Sequence, residues 1–325
     1  MERVLSMFGS ITTGDPREWL RALWFGLGVP VLAIALFLVV WAAGAARVQT
    51  SLGAVPGPMQ VLAQARNLLE DHAAERAKRA QFYERQEARN AKRVAEDPKA
   101  QVKVHRWTGK PTFVDQISTS LKTVFTGFLL ATLVAVPLGI LCGSSRVVQA
   151  ALNPIIQVFR PVSPLAWLPI VTLIVSAVYV TSDTAWFEKS FLVSAITVTL
   201  CSLWPTLINT GLGVSSIDRD LVNVGRVLKL SWYTKVFKVV LPSALPLIFT
   251  GMRLSLGVGW MVLIAAEMLA QNPGLGKFVW DEFQNGSQDS LGRIMVAVLT
   301  IGIIGFLLDR LMVALQSAFT HGATR

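Results

Sequence analysis

Long apolar segments alternate with polar stretches along the whole chain. Six of them reach the roughly 20 residues that a helix needs to cross the hydrocarbon core of a bilayer. They cover about 23–46, 118–142, 161–181, 190–211, 245–269 and 294–319. Because lipid-exposed backbone must satisfy its own polar groups, this pattern predicts an all-α integral membrane protein with about six transmembrane helices.

The first apolar segment has an alternative interpretation as a cleaved signal peptide. The string AAGAA at 42–46 resembles a signal-peptidase site. However, the run before it is longer than the apolar core of a signal peptide, which has about 7–15 residues. We therefore expect a retained span, preceded by an interfacial helix within residues 1–22.

Residues 47–114 differ from the rest of the chain because they are rich in charged side chains. No Gly or Pro lies between Met59 and Asp97, so we expect a long polar helix that ends near Asp97. This insertion separates an N-terminal segment, 1–46, from a predicted membrane core at 115–320, which a short tail at 321–325 follows. The insertion is either a solvated spacer or a docking surface for an extramembrane partner.

A basic stretch lies between the fourth and fifth apolar segments and ends on two prolines. Its apolar residues recur near helical spacing, while Arg226, Lys229 and Lys235 fall on other faces. This spacing predicts an amphipathic helix at about 221–240. A structured basic helix between spans is suited to bind a partner in the cytoplasm.

Composition and charge argue against a soluble fold and against nucleic-acid binding. Only 15% of the residues are charged, whereas soluble domains average about 25%. The net charge of +10 is not gathered in one patch beside aromatic residues, so membrane lipid and anionic partners explain it better than nucleic acid. The loops at 143–160 and 213–243 are basic, and Lys and Arg are enriched in cytoplasmic loops. We therefore expect these loops and both termini to lie in the cytoplasm. The basic insertion opposes this topology, but loops beyond about 60 residues translocate largely regardless of charge.

The sequence contains no persuasive catalytic or metal-binding motif. Its histidines, His72, His105 and His321, do not stand at metal-ligand spacing, and no P-loop for ATP occurs. Cys142 and Cys201 lie in apolar segments, where cysteine behaves as a small hydrophobe. We therefore expect a non-catalytic chain without a metal or cofactor of its own.

Two ionisable residues, Arg253 and Glu267, lie in the fifth apolar segment. Charged side chains within a membrane are costly and are candidates for function by default. They are about 21 Å apart along a helix, which is too far for direct contact. Arg253 either serves function or extends to the interface, and Glu267 either lines a cavity or anchors the polar outer loop at 270–292.

Residues 223–242, NVGRVLKLSWYTKVFKVVLP, resemble the EAA loop of ABC-importer permeases. Asn223 stands in place of the Glu of that pattern, Val224 and Gly225 in place of its two Ala, and Lys229 in place of its Gly. The residues that fit the remaining pattern are Arg226, Leu228, Ser231 and Pro242. The resemblance implies that these residues couple the chain to an ATPase. Since Lys lacks the backbone freedom of Gly, we expect a helical turn at Lys229.

More specific similarity surrounds this loop. Residues 160–170 and 243–269 are similar to permeases of the nitrate, taurine, alkanesulfonate and bicarbonate group. Residues 271–291 and 294–312 look most like nitrate permeases, and the charged insertion is similar to one in proteobacterial nitrate permeases. The resemblance covers about residues 115–320, the whole predicted membrane core.

The resemblance implies a type I ABC-importer permease fold in the bacterial inner membrane, with a cytoplasmic coupling helix. It implies a homodimer, two cytoplasmic ATPase subunits that bind ATP and Mg, and an extracytoplasmic solute-binding protein. Candidates for the translocation pathway are Arg253, Glu267 and Trp167. The implied substrate is nitrate, and nitrite and cyanate are possible further substrates. Bicarbonate and taurine or alkanesulfonates are alternative substrates. Alternatives from other classes are a stand-alone channel or secondary transporter and a membrane anchor with a protein-binding insertion.

Overall fold

The computed structural model describes most of the chain. The described residues are 20–21, 23–50, 53–97, 102, 104–179, 187–218, 220–221, 223, 227–287 and 289–320. The predicted interfacial helix within 1–22 lies outside them except at residues 20 and 21, and the tail at 321–325 lies outside them entirely.

Helices make up nearly all of the described chain. In chain order they are α1 (Trp24–Ala45), α2 (Pro58–Glu96), α3 (Phe113–Ser144), α4 (Arg146–Phe159), α5 (Pro164–Val178), α6 (Lys189–Ser215), α7 (Trp232–Ala270), α8 (Leu275–Asn285) and α9 (Ser290–Thr320). A hairpin of β1 (Gln49–Thr50) and β2 (Gly53–Ala54) connects α1 to α2 and pairs Gln49 with Ala54. The first turns of α1 and of α7 are locally widened, at Trp24–Gly28 and Val236–Val240.

Within the described residues, five helices are long and apolar enough to cross a membrane, namely α1, α3, α6, α7 and α9. A sixth span results if α4 and α5, which meet at a bend of 100°, count as one. The prediction of an all-α membrane fold with about six spans is therefore confirmed.

The third predicted span, 161–181, differs from the structure. α5 has 15 residues, or about 22 Å of helix, whereas the hydrocarbon core measures about 30 Å. Ser163 caps the new helix by accepting a hydrogen bond from the Leu165 N–H at 3.3 Å. The preceding stretch, predicted as an amphipathic cytoplasmic loop, forms α4, so the predicted straight span is replaced by a bent pair of helices.

The centre of the bundle is formed by α3, α6 and α7, whose backbones approach closely. A Cβ added to Gly127 of α3 would lie 2.7 Å from the carbonyl oxygen of Ala195 in α6. One added to Gly251 of α7 would lie 2.8 Å from the Cβ of Asn209 in α6. Because neither crossing has room for a larger side chain, the three helices form one closely packed block.

The bundle has two ends that are covered differently. At one end, Ile140, Val214 and Val236 share an apolar cluster beneath the basic segment between α6 and α7. At the other end, the rings of Phe113 in α3 and Phe278 in α8 lie 4.9 Å apart beneath α2. We call these the basic end and the insertion end.

The insertion forms the predicted long helix, which is α2. Its first half packs on the insertion end, where Val61 and Leu68 are buried. Gln64 also donates from Nε2 to Asp289 at 2.7 Å, next to the start of α9. This half of α2 is therefore part of the folded core and not a detached spacer.

The outer stretch at 270–292 was predicted only as a polar loop, and the structure adds α8 to it. Gln271 ends α7 with a left-handed φ of 56°, which reverses the chain. α8 then buries Leu275 and Phe278 against the bundle. The hydropathy pattern missed this helix because its opposite face is charged.

Candidate functional site

The first part of the basic segment is only partly described. Asn223 has a helical backbone and an exposed side chain. The side chain of Leu228 is also exposed. The predicted coupling residues Val224, Gly225 and Arg226 lie outside the described residues.

The predicted continuous helix over 221–240 is interrupted at Lys229. This residue has a φ of 48°, in the left-handed region that residues with a Cβ rarely adopt. The expected helical turn at Lys229 was therefore wrong, and the backbone takes a conformation that favours glycine. α7 starts directly afterwards, where the Ser231 hydroxyl accepts a hydrogen bond from the Thr234 N–H at 3.3 Å.

The first turns of α7 expose aromatic side chains beside cations. Trp232 and Phe237 are 56% and 64% exposed, and the Tyr233 ring meets the Trp232 ring edge-on at 5.1 Å. Lys235 and Lys238 lie in the same turns. We call these five residues, which surround the start of α7, the aromatic face. Exposed aromatic rings among polar residues are typical of protein–protein interfaces.

The aromatic face is continuous with the interior of the bundle because α7 is a single long helix. It has 39 residues and measures about 58 Å. The helix continues through Pro242 and Pro246, the two prolines at the end of the basic stretch. Trp232, Arg253 and Glu267 therefore lie on the same helix.

Arg253 lies within the predicted span and pairs with Asp309 of α9. Its Nη2 donates to Asp309 Oδ2 at 3.0 Å, and its Nε donates to Oδ1. Asp309 also accepts from Nη2 of Arg310 at 2.7 Å. Sequence reasoning missed Asp309, although the charged pair Asp309–Arg310 inside the sixth apolar segment is a visible signal.

The ion pair borders a small cavity between α7 and α9. The cavity holds about 220 Å³ and is lined in part by Gly257, Trp260 and Gly305. Trp260 is fixed by its Nε1, which donates to the carbonyl oxygen of Ile301 at 3.0 Å. The guanidinium of Arg253 thus stands beside open space within the membrane region.

Glu267 has no surface exposed within the subunit. Its carboxylate accepts a hydrogen bond from the Ser120 hydroxyl, 2.8 Å from both of its oxygens, and from the Gly276 N–H at 2.9 Å. Ser120 accepts in turn from the Leu275 N–H at 2.8 Å. Of the two alternatives for Glu267, the geometry supports the anchor for the outer stretch and not a cavity lining.

Glycine is required where α8 meets this carboxylate. A Cβ on Gly274 would overlap the Glu267 carboxylate, and one on Gly276 would overlap the Ile264 carbonyl. The N–H groups of Leu275 and Gly276 therefore reach Ser120 and Glu267, respectively. These two acceptors satisfy donors that the start of a helix leaves without a partner in the helix itself. This network joins α3, α7 and α8 at the insertion end.

Trp167 lies just after the bend between α4 and α5. It is partly buried and stacks on Phe159 of α4, with ring centroids 5.7 Å apart. The structure does not bring it into contact with Arg253 or Glu267, so the three predicted pathway residues occupy separate places.

Histidine and acidic residues of the described part of the chain serve other contacts. There, no cluster of three His, Cys, Asp or Glu residues is arranged to hold a metal ion. His72 instead contacts the Thr112 hydroxyl at 2.6 Å beside the start of α3.

The chain is similar to known membrane transport proteins. A family model described as the inner membrane component of binding-protein-dependent transport systems matches residues 135–321. The chain belongs to this family. The predicted resemblance to ABC permeases is thus confirmed, and family membership places the chain in the inner membrane as a multi-pass protein.

Curated relatives include permeases for two different anions. The nitrate import permease NrtB of Leptolyngbya laminosa is 40% identical over 61% of this chain and 65% of its own length. NrtB of Synechocystis is 40% identical over 62% of this chain and 68% of its own. The bicarbonate transport system permease CmpB of Synechococcus elongatus is 39% identical over 62% of this chain and 67% of its own. The chain spans about two thirds of the length of these relatives.

A solved structure supports the fold assignment. A chain of the MetNI methionine ABC transporter, in an inward-facing conformation, matches with a TM-score of 0.55 at 16% identity. The match covers 64% of this chain and 96% of that chain. The type I ABC-importer permease fold predicted from the sequence is therefore confirmed.

Proposed function

We propose that this chain is the permease subunit of an ATP-driven importer and, as a homodimer, forms the path of nitrate across the membrane. The observation that carries the proposal is α7, which joins the exposed aromatic face to the Arg253–Asp309 pair without a break. An importer driven by a separate ATPase needs an exposed surface that is connected to its pathway, and the aromatic face matches that need.

The aromatic face is the proposed contact with the ATPase. Asn223, Leu228, Lys229 and Ser231 precede it directly, and the family resemblance adds Val224, Gly225 and Arg226 to the same contact. Pro242 lies where the widened turn of α7 gives way to regular helix. When ATP binding closes the ATPase subunits, the resulting displacement of α7 switches the pore between its inward-facing and outward-facing states.

The charge of the loops orients the subunit in the membrane. The basic end faces the cytoplasm, where Lys and Arg in short loops are favoured. The N- and C-termini lie on the same side, and the insertion end faces outward, toward the solute-binding protein. ATP and Mg are bound by the partner subunits and not by this chain.

Arg253 is the proposed contact for the anion along the pathway. It is a cation beside a cavity in the membrane region, and an anion that loses water there needs a cation or hydrogen-bond donor to compensate for the lost hydration. Trp167, at the bend between α4 and α5, is a second pathway candidate. Glu267 acts indirectly, because it holds α8 and α3 in place around α7.

The substrate is proposed as nitrate because three segments of the chain and two of the relatives above point to nitrate permeases. Bicarbonate is the second candidate, since a bicarbonate permease is nearly as similar. Nitrite and cyanate are further anions to include in competition assays, and taurine and alkanesulfonates serve as larger competitors.

The coupling role is tested by the double substitution Trp232→Ala/Phe237→Ala. We expect the ATPase subunits to copurify poorly with this variant, because truncating aromatic anchors costs binding free energy of about 2 kcal/mol or more each. Leu254→Ala is the matched control, since Leu254 is similarly exposed on α7 but lies within the membrane region. Equal copurification of both variants, with insertion unchanged, would refute the coupling role.

A further inference from the structure

The distal half of α2 carries a charge pattern that the packing of the bundle does not explain. The Lys/Arg residues between 76 and 93 are Arg76, Lys78, Arg79, Arg85, Arg89, Lys92 and Arg93, against the acids Glu84 and Glu87. At 100° per residue, Lys78, Arg85, Arg89 and Lys92 fall on one side of the helix. This basic stripe lies on the C-terminal side of Asp71, whose Oδ2 is 3.5 Å from Nη2 of Arg293 in α9.

The chain after α2 folds back along this stripe and builds a wall beside it. The His105 N–H donates to Gln86 Oε1 at 2.7 Å, and the Trp107 N–H donates to the Tyr83 hydroxyl at 3.3 Å. The Trp107 ring packs on Phe82 with centroids 5.2 Å apart. Because these contacts fix the returning segment, the space between it and α2 is a preformed cleft.

The cleft holds about 640 Å³ and combines cations with aromatic rings. Its principal lining residues are Lys78, Gln81, Phe82, Arg85, Arg89 and Trp107, and no carboxylate lines it. Lys78 pairs with Glu75 at 3.4 Å. Arg85 and Arg89 form no ion pair with any acid in the described residues. The cleft therefore presents two uncompensated guanidinium groups above an apolar floor.

We propose that this cleft is a docking site for an acidic loop of the extracytoplasmic solute-binding protein. The inference rests on the proposed function, which supplies that partner and places the insertion end outside. A small anion such as nitrate fills only a small part of the cleft, whereas a loop with carboxylate and apolar side chains matches both its charge and its aromatic wall. Anionic lipid is the competing occupant, and the lipid composition of the nanodiscs below distinguishes it from the protein loop.

The docking site is tested on the complete transporter in nanodiscs, with its cognate solute-binding protein loaded with nitrate. For Arg85→Glu/Arg89→Glu, we expect the Kd for the binding protein to rise about tenfold or more, since reversed charges repel an acidic partner. The dependence of Kd on salt is also expected to flatten. Arg47→Glu/Arg66→Glu is the matched control, because it makes the same charge change at two exposed arginines that do not line the cleft, and its Kd should stay within about twofold of wild type.

Trp107→Ala provides a second variant that keeps the charge of the cleft, and we expect it to raise Kd at unchanged salt dependence. Equal Kd values for Arg85→Glu/Arg89→Glu and its control would overturn the proposal. A change of Kd that appears only in nanodiscs with phosphatidylglycerol, and not in phosphatidylcholine alone, would assign the cleft to lipid and also overturn it. ATP-dependent nitrate uptake by the wild type is measured in parallel. Its absence would count against the proposed function, whereas normal uptake with unchanged Kd values would count against the docking site alone.

Discussion

Replacing Asp309 by leucine would leave Arg253 without its carboxylate inside the membrane region. Breaking a buried ion pair by removing one partner costs about 3–5 kcal/mol. The side chains of Arg253 and Asp309 are 41% and 32% exposed within the subunit, so we expect a smaller loss of about 2–3 kcal/mol for Asp309→Leu. Arg253→Met should cost less, about 1 kcal/mol, because Asp309 keeps its hydrogen bond from Arg310 at 2.7 Å.

The double variant Arg253→Met/Asp309→Leu completes a mutant cycle. We expect it to be more stable than the sum of the single changes by about 1–2 kcal/mol, since no unpaired charge is left at the pair. Thermal unfolding in detergent measures these differences, with a shift of roughly 2–4 °C per kcal/mol. The reasoning is refuted if the two single changes are additive, or if Arg253→Met destabilises more than Asp309→Leu.

Two further predictions concern the ends of α7. Glu267→Leu should lower the free energy of unfolding by about 2–4 kcal/mol, because the buried Gly276 N–H loses its acceptor. Glu267→Gln keeps one acceptor oxygen and should lower it less. Equal losses for the two variants in chemical unfolding would argue against the hydrogen-bond network. Lys229→Gly should retain uptake and leave the free energy of unfolding unchanged or slightly higher. Lys229→Val should lower that free energy by about 1–2 kcal/mol, because a β-branched residue disfavours a φ of 48°. A Val variant as stable as the Gly variant in the same assay would contradict this backbone argument.

The hydropathy pattern predicted most spans and the long insertion helix because their signals are local. A long apolar run predicts a membrane-spanning helix, and a polar run of strong helix formers without Gly and Pro favours a solvated one. The third span was misjudged since the bend before α5 depends on Ser163 and Pro164, which interrupt a continuous apolar pattern only weakly. α8 was missed because the charged residues on its exposed face make its average hydropathy resemble that of a polar loop.

The candidate site was harder to predict because its partners meet only in the folded chain. Arg253 and Glu267 were visible as charges in an apolar segment. Their partners, Asp309 and Ser120, lie 56 and 147 residues away, and no spacing rule joins them. Lys229 was predicted to be helical because lysine by itself disfavours a left-handed backbone. The folded chain overrides that local preference.

The most direct measurement is competition for ATP-dependent uptake by the reconstituted importer in proteoliposomes. With labelled nitrate outside and its cognate solute-binding protein present, we expect uptake that requires the ATPase subunits and ATP. Unlabelled nitrate should compete strongly, and bicarbonate and taurine weakly. Uptake by this chain alone without ATP would contradict the importer role, and stronger competition by bicarbonate than by nitrate would contradict the substrate.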